Sequence, residues 1–177
     1  ENLNLYTDKY EEEFQPHLPS FTTAIWGLAT QVGAQPKFDA LATTSIRFLT
    51  SIVAKPMHAA MFQDEATLRQ IVQAIVVPNL QLRESDEELF EDNPEEYVQR
   101  DMEGSDSDTR RQCACDLVRA LCKNFDAQTT AICSGHLEQM LGEYSRDMAT
   151  NWRAKDAAVS RRERSAEGRG VEREARA

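Results

Sequence analysis

The sequence predicts an all-α fold assembled from stacked antiparallel helical hairpins, and three observations carry that prediction. Wherever the chain is apolar, its apolar residues recur at helical spacing, and the alternation of a half-buried strand is absent. The periodic runs are joined by short connections, which make neighbouring helices pack antiparallel. The hairpins so formed measure roughly 40 residues each, a length typical of helical repeat proteins.

Taken in order, Phe21, Ile25, Leu28 and Val32 set the first apolar face, which stops near Gly33 with Pro36 beyond. Phe38, Leu41, Ala42, Ser45, Leu49, Ile52 and Val53 set the second, ending before Pro56. After a short piece from Met57 to Phe62, Asp64 is placed to cap a third helix bearing Leu68, Ile71, Val72, Ile75 and Val76, with Pro78 near its end. Two further helices follow an acidic stretch. One runs from about 108 to 124 with Ala114, Leu117, Val118 and Leu121 inward; the other runs from about 127 to 144 with Ile132, Leu137, Met140, Leu141 and Tyr144. These lengths and connections predict a HEAT-repeat α-solenoid segment, with a compact bundle of the same helices as the alternative on pattern alone.

The 177 residues, 41% apolar, suffice for one domain with a real core. No apolar run approaches the roughly 20 residues that cross a bilayer, so no membrane insertion is expected. The first residues, ENLNLYTDKYEEEF, do not resemble a secretory signal, and the chain reads as processed or as a piece of something longer. Cys113, Cys115, Cys122 and Cys133 crowd together, but Cys113 and Cys115 sit two apart on a helix and point to nearly opposite sides. Reduced, packed thiols of an intracellular protein are expected rather than a zinc site or a disulfide framework.

The formal charge of −10 is a local property. From Glu84 to Asp108 there are twelve acids and one base, Arg100, whereas the remainder is close to neutral. The segment has internal order: Ser85 and Glu88 are spaced as a capping box, and Asn93-Pro94-Glu95-Glu96 supplies an N-cap, a proline at the first helical position and acids in the first turn. Tyr97 and Met102 are the expected apolar contacts, Gly104 a stop, and Asp106 or Asp108 the cap of the next helix. An ordered acidic insertion, about 84–108, is therefore expected between the two helices of one hairpin. It reads either as a solvated charged loop or as a recognition element for a Lys/Arg-rich protein surface.

Other chemistries find little support. Asp101, Glu103, Asp106 and Asp108 lack the loop pattern of a calcium site. His17, His58 and His136 stand near no nucleophile motif, and no phosphate loop, dinucleotide fingerprint or metalloprotease helix occurs, so no enzyme is expected. Net negative charge also opposes nucleic-acid binding. Ser105 and Ser107 stand among acids, a setting chemically suited to an acid-directed kinase, and the sequence does not decide whether either is phosphorylated.

The stretches LPSFTTAIWGL, VVPNLQLRESDEELFEDNPEEYVQRDMEGSDSDTRR, ACDLVRALCK and NWRAKDAA resemble the central HEAT-repeat region of nuclear export receptors in the importin-β class of karyopherins. The resemblance covers 1–158, of which the run ending RDMEGSDSDTRR is the most specific part; 159–177, with six arginines and four glutamates, departs from the family and is expected to be a disordered charged tail. Pro16 also departs, falling where the family's first helix would continue. The resemblance implies a receptor that shuttles between nucleus and cytoplasm, binds importin-α together with Ran in its GTP form, and returns importin-α to the cytoplasm. Contacts with nuclear pore proteins would belong to the full-length receptor. It implies no cofactor, the GTP being bound by Ran. It further implies partner-binding roles for Glu87, Glu88, Glu91, Asp92, Glu95, Glu96, Asp101, Glu103, Asp106 and Asp108, with Arg110 and Arg111 as intrachain partners or donors at the inner face. For each acid a capping or solubilising role stands beside direct contact. The alternative function is a helical-repeat adaptor whose acidic loop binds another basic protein without dependence on Ran.

Overall fold

A computed structural model describes residues 2–101 and 109–157. Its described residues form helices and turns, with no strand among them. In chain order these are α1 (Asn2–Lys9), α2 (Glu11–Phe14), α3 (Leu18–Gln31), α4 (Asp39–Val53), α5 (Glu65–Ile71), α6 (Val77–Leu80), α7 (Glu84–Asp92), α8 (Pro94–Asp101) and α9 (Arg110–Arg146), with a last helical turn over 152–157.

The expected hairpins are present. A 3₁₀ turn at Pro36–Phe38 folds α4 back onto α3. The second hairpin pairs α5 and α6 with the first half of α9. A π turn over Val72–Val76 joins α5 to α6 into one rod, where the Val77 amide donates to the Val72 carbonyl. Pro78 supplies the reason: it lacks an N–H and its ring crowds the carbonyl four residues earlier, so the ladder widens just before it. Asn79 donates from Nδ2 to the Ile75 carbonyl at 2.7 Å, covering an acceptor in the same region. Phe125, with φ −137° and ψ 40°, interrupts α9 between the two helices expected from the sequence.

Two long-range hydrogen bonds fix how the hairpins stack. Arg110, at the start of α9, donates from Nε to Asp39 at the start of α4 at 2.7 Å. Asn124, fourteen residues further along α9, donates from Nδ2 to the carbonyl of Val53 at the end of α4 at 2.7 Å. The second helices of successive hairpins therefore lie side by side and parallel, the arrangement of a solenoid rather than an up-down bundle. Between the rows lies a continuous apolar layer of Ile46, Leu49, Ile52, Leu68, Ile71, Ile75, Leu117 and Leu121, each essentially inaccessible to water. Both Cys113 and Cys115 are buried, because this half of α9 is covered on more than one side, and none of the four cysteines is in a disulfide.

The outer layers depart from the sequence reading. On α3 the buried line is Leu18, Thr22 and Ala29, while Phe21 is 40% exposed. Phe21 instead continues an aromatic row along α1 to α3, stacking on Phe14, which in turn stacks on Tyr6. Of the expected stripe, Ile25 packs half-buried against the core, while the fully buried positions include the small side chains at 22 and 29. Pro16 sits in a 3₁₀ turn that carries the chain from α2 into α3. Met148 and Trp152 are exposed at the other end.

Candidate functional site: the acidic hairpin and its arginine base

The acidic segment is an ordered helical hairpin in its described part. α7 and α8 are joined through Asn93, whose Oδ1 accepts the Glu96 amide at 3.2 Å, with Pro94 at the first helical position. This is the cap read from the sequence. Tyr97 packs edge-on against Phe90 with ring centroids 5.4 Å apart, so the apolar joint is made by Phe90, a residue the sequence reading did not single out. The Ser85 capping box is not formed. Arg83 is the N-cap of α7, and the Asp86 carboxylate accepts its amide at 3.0 Å, leaving the buried Ser85 hydroxyl without a partner. Thr109, rather than Asp106 or Asp108, caps α9: its hydroxyl accepts the Gln112 amide while the Gln112 side chain accepts the Thr109 amide, both at 3.1 Å.

The root of the hairpin is built on arginines. Arg83 donates from Nε and Nη2 to Asp86, each at 2.9 Å, from Nη1 and Nη2 to the two oxygens of Asp39 at 2.6 and 3.2 Å, and from Nη1 to the Ala34 carbonyl at 3.2 Å. All five guanidinium hydrogens are thereby used. Arg110, 7% exposed, reaches the same Asp39 and donates to the Gly33 and Gln35 carbonyls at 2.9 and 3.3 Å. The turn at the end of α3 is thus covered by arginines from two other elements.

Electrostatics reinforce this root. Burial pushes the Asp86 carboxyl up, but hydrogen bonds from the Arg83 side chain and amide, with the charges of Arg83 and Arg111, outweigh it and hold it below the usual carboxylate range. Burial likewise disfavours the charged form of Arg83, and its bonds to Asp86 and Asp39 more than compensate, so it stays cationic. On the other side, Arg111 donates to Asp156 at 2.8 Å, and Arg153 grips Glu87 with one contact at 2.8 Å. That hydrogen bond from Arg153 draws the Glu87 carboxyl below its ordinary range. The turn over 152–157 is so tied both to α9 and to α7.

Set against the expected partner-binding residues, the structure divides them. Glu88, Glu91, Asp92, Glu95 and Glu96 are exposed on α7 and α8. Glu87 is spoken for by Arg153, and Arg110 and Arg111 are buried and bonded within the chain. Asp101 ends α8, while Glu103, Asp106 and Asp108 lie outside the described residues, as do Met102, Gly104, Ser105, Ser107 and 158–177. The roles of Arg83 and Asp39 were not read from the sequence. The i,i+3 pairing of Arg83 with Asp86 is visible there, but Asp39 lies 44 and 71 residues from its two arginines, and only the fold joins them.

Among the described residues no group of His, Cys, Asp and Glu is arranged to hold a metal ion, and no helix is long and apolar enough to cross a membrane.

Comparison with known proteins places this geometry. The Cse1 family model matches residues 1–167. Exportin-2 of Pagrus major is 51% identical over 159 residues, which cover 90% of this chain and 16% of that protein. Exportin-2 of Homo sapiens is 50% identical over the same length and the same shares. A solved structure, the exportin Cse1 in its cargo-free, cytoplasmic state, matches with a TM-score of 0.86 at 38% identity, covering 89% of this chain and 17% of that one. The chain thus spans 16% of the length of these exportin-2 relatives. With parallel stacked hairpins, an acidic insertion rooted between them and half of all aligned residues identical to exportin-2, the chain belongs to the Cse1 family of exportins and is a segment of its HEAT-repeat solenoid.

Proposed function

We propose that this chain is the part of a nuclear export receptor that helps bind importin-α together with Ran-GTP, for the return of importin-α to the cytoplasm by a receptor shuttling between the two compartments. The acidic hairpin meets Lys/Arg-rich surface on one of those partners. The observation that carries the reading is the division just described: Glu88, Glu91, Asp92 and Glu95 are exposed and make no ion pair among the described residues, while the acids that hold the hairpin in place are other ones. Carboxylates presented on a braced helical hairpin attract a basic surface without the ordering cost of a flexible loop. Charge of this kind acts chiefly on encounter rate and on the choice of partner.

A second reading keeps the same surface but drops Ran: a helical-repeat adaptor that binds another basic protein. The two are separated by nucleotide. The chain is titrated with importin-α and with Ran loaded with GTP or GDP, at low and physiological salt, beside a variant carrying Glu91→Gln, Asp92→Asn, Glu95→Gln and Glu96→Gln. Binding that prefers GTP and is lost in the variant is the expected result. Nucleotide-blind binding that fades with salt favours the adaptor, and binding unaffected by the four substitutions removes the hairpin from the contact surface.

A further inference from the structure

The acidic hairpin carries an apolar element that its own packing leaves unfinished. Phe90 meets Tyr97 edge-on, yet Phe90 remains 52% exposed, and Val98, the residue after Tyr97, is 49% exposed. No residue of α7 is fully buried, and the ring contact with Tyr97 joins the two helices without burying the Phe90 ring. Glu91 and Asp92 follow Phe90 directly on α7, and Glu95 and Glu96 open α8 just before Tyr97. The same helical hairpin thus presents an accessible aromatic ring and four exposed carboxylates.

We infer that Phe90, backed by Tyr97, is an apolar anchor point for a basic amphipathic helix, whose aliphatic side chain covers the ring while its lysines or arginines meet the exposed carboxylates of α7 and α8. The inference rests on the proposed reading of the hairpin as a contact surface and adds the partner's chemistry. Charge complementarity selects a basic occupant, and the ring selects one that alternates base with apolar residue at helical spacing. A purely polar basic segment satisfies the acids but leaves Phe90 in water. The two features divide the work of recognition: exposed charge raises the encounter rate, and the covered ring slows departure.

Two synthetic helical peptides of equal charge test this, one with leucines a turn apart between lysines and the other with serines at those positions. Each is titrated into the chain and into Phe90→Gln and Phe90→Leu variants at low salt. The leucine peptide is expected to bind the unaltered chain roughly five- to tenfold more tightly than the serine peptide. Phe90→Gln abolishes that preference and Phe90→Leu keeps it, while the serine peptide binds all three chains alike, which also shows that the hairpin remains folded. A preference that is missing, or that does not follow the apolar character of residue 90, overturns the anchor while leaving the acidic surface intact. Failure of both peptides to bind at low salt removes the acidic contact surface itself.

Discussion

Along α4 and the first half of α9, the side chains that meet are Ile46, Leu49, Ile52, Leu117 and Leu121, all inaccessible to water; along α7 no residue is fully buried, and what holds it is Arg83, braced by Asp86 and paired with the distant Asp39, together with Glu87 paired with the distant Arg153. Burial is insensitive to direction and tolerates salt, whereas charged hydrogen bonds fix orientation and leave the rest of a surface free. The contrast teaches that one short chain can separate the residues that make it fold from the residues it offers to others. Acids alone do not mark the second class: Asp39 and Asp86 belong to the first, and Glu91 and Asp92 to the second.

The largest effect that would break this comparison lies in the core. Leu117→Ala is expected to cost about 2–5 kcal/mol of global stability, read as a shift in the urea midpoint, because the cavity lies between two fully packed rows. Arg83→Gln should cost less, about 1–3 kcal/mol, since Asp39 keeps Arg110 but Asp86 loses its guanidinium in a partly buried site.

Acid sharpens the same point. The Asp86 carboxyl is held below the usual range in the folded chain, so its contribution is present above the unfolded value of about 3.9 and is lost as pH falls through the folded value. The difference in urea midpoint between the unaltered chain and Asp86→Asn should therefore be constant above about pH 5 and shrink below about pH 4. Asn93→Ala removes a helix cap and should weaken α8 by about 1 kcal/mol, visible as faster amide exchange at 95–100 with little change elsewhere. Smallest of all, neutralising Glu91, Asp92, Glu95 and Glu96 together should move stability by no more than about 0.5 kcal/mol, while removing partner binding. A large loss of stability there would show that these acids belong to the fold.

How far the sequence reveals each region follows the same division. The third helix could be read residue by residue, since Leu68, Ile71, Val72, Ile75 and Val76 are all buried, as could Ala114, Leu117, Val118 and Leu121. Helical period is a local signal, and so is the Asn93 cap. The face of α3 is legible only in part: Ile25 packs against the core as expected, but the fully buried positions include Thr22 and Ala29, which an apolar stripe does not single out. The arginine base of the hairpin was hidden for a different reason. Arg83 falls just before the acidic run, and its decisive partner, Asp39, looks from sequence like an ordinary first-turn acid of α4. Which acids are structural depends on contacts that only the stacking of hairpins creates.

The most direct test of this separation is amide hydrogen exchange on the unaltered chain and on Arg83→Gln. If the hairpin is a unit held at its base by charge, exchange over 84–100 should accelerate in the variant while α4 and 110–124 keep their protection. Uniform acceleration across the chain, or no change over 84–100, would contradict it.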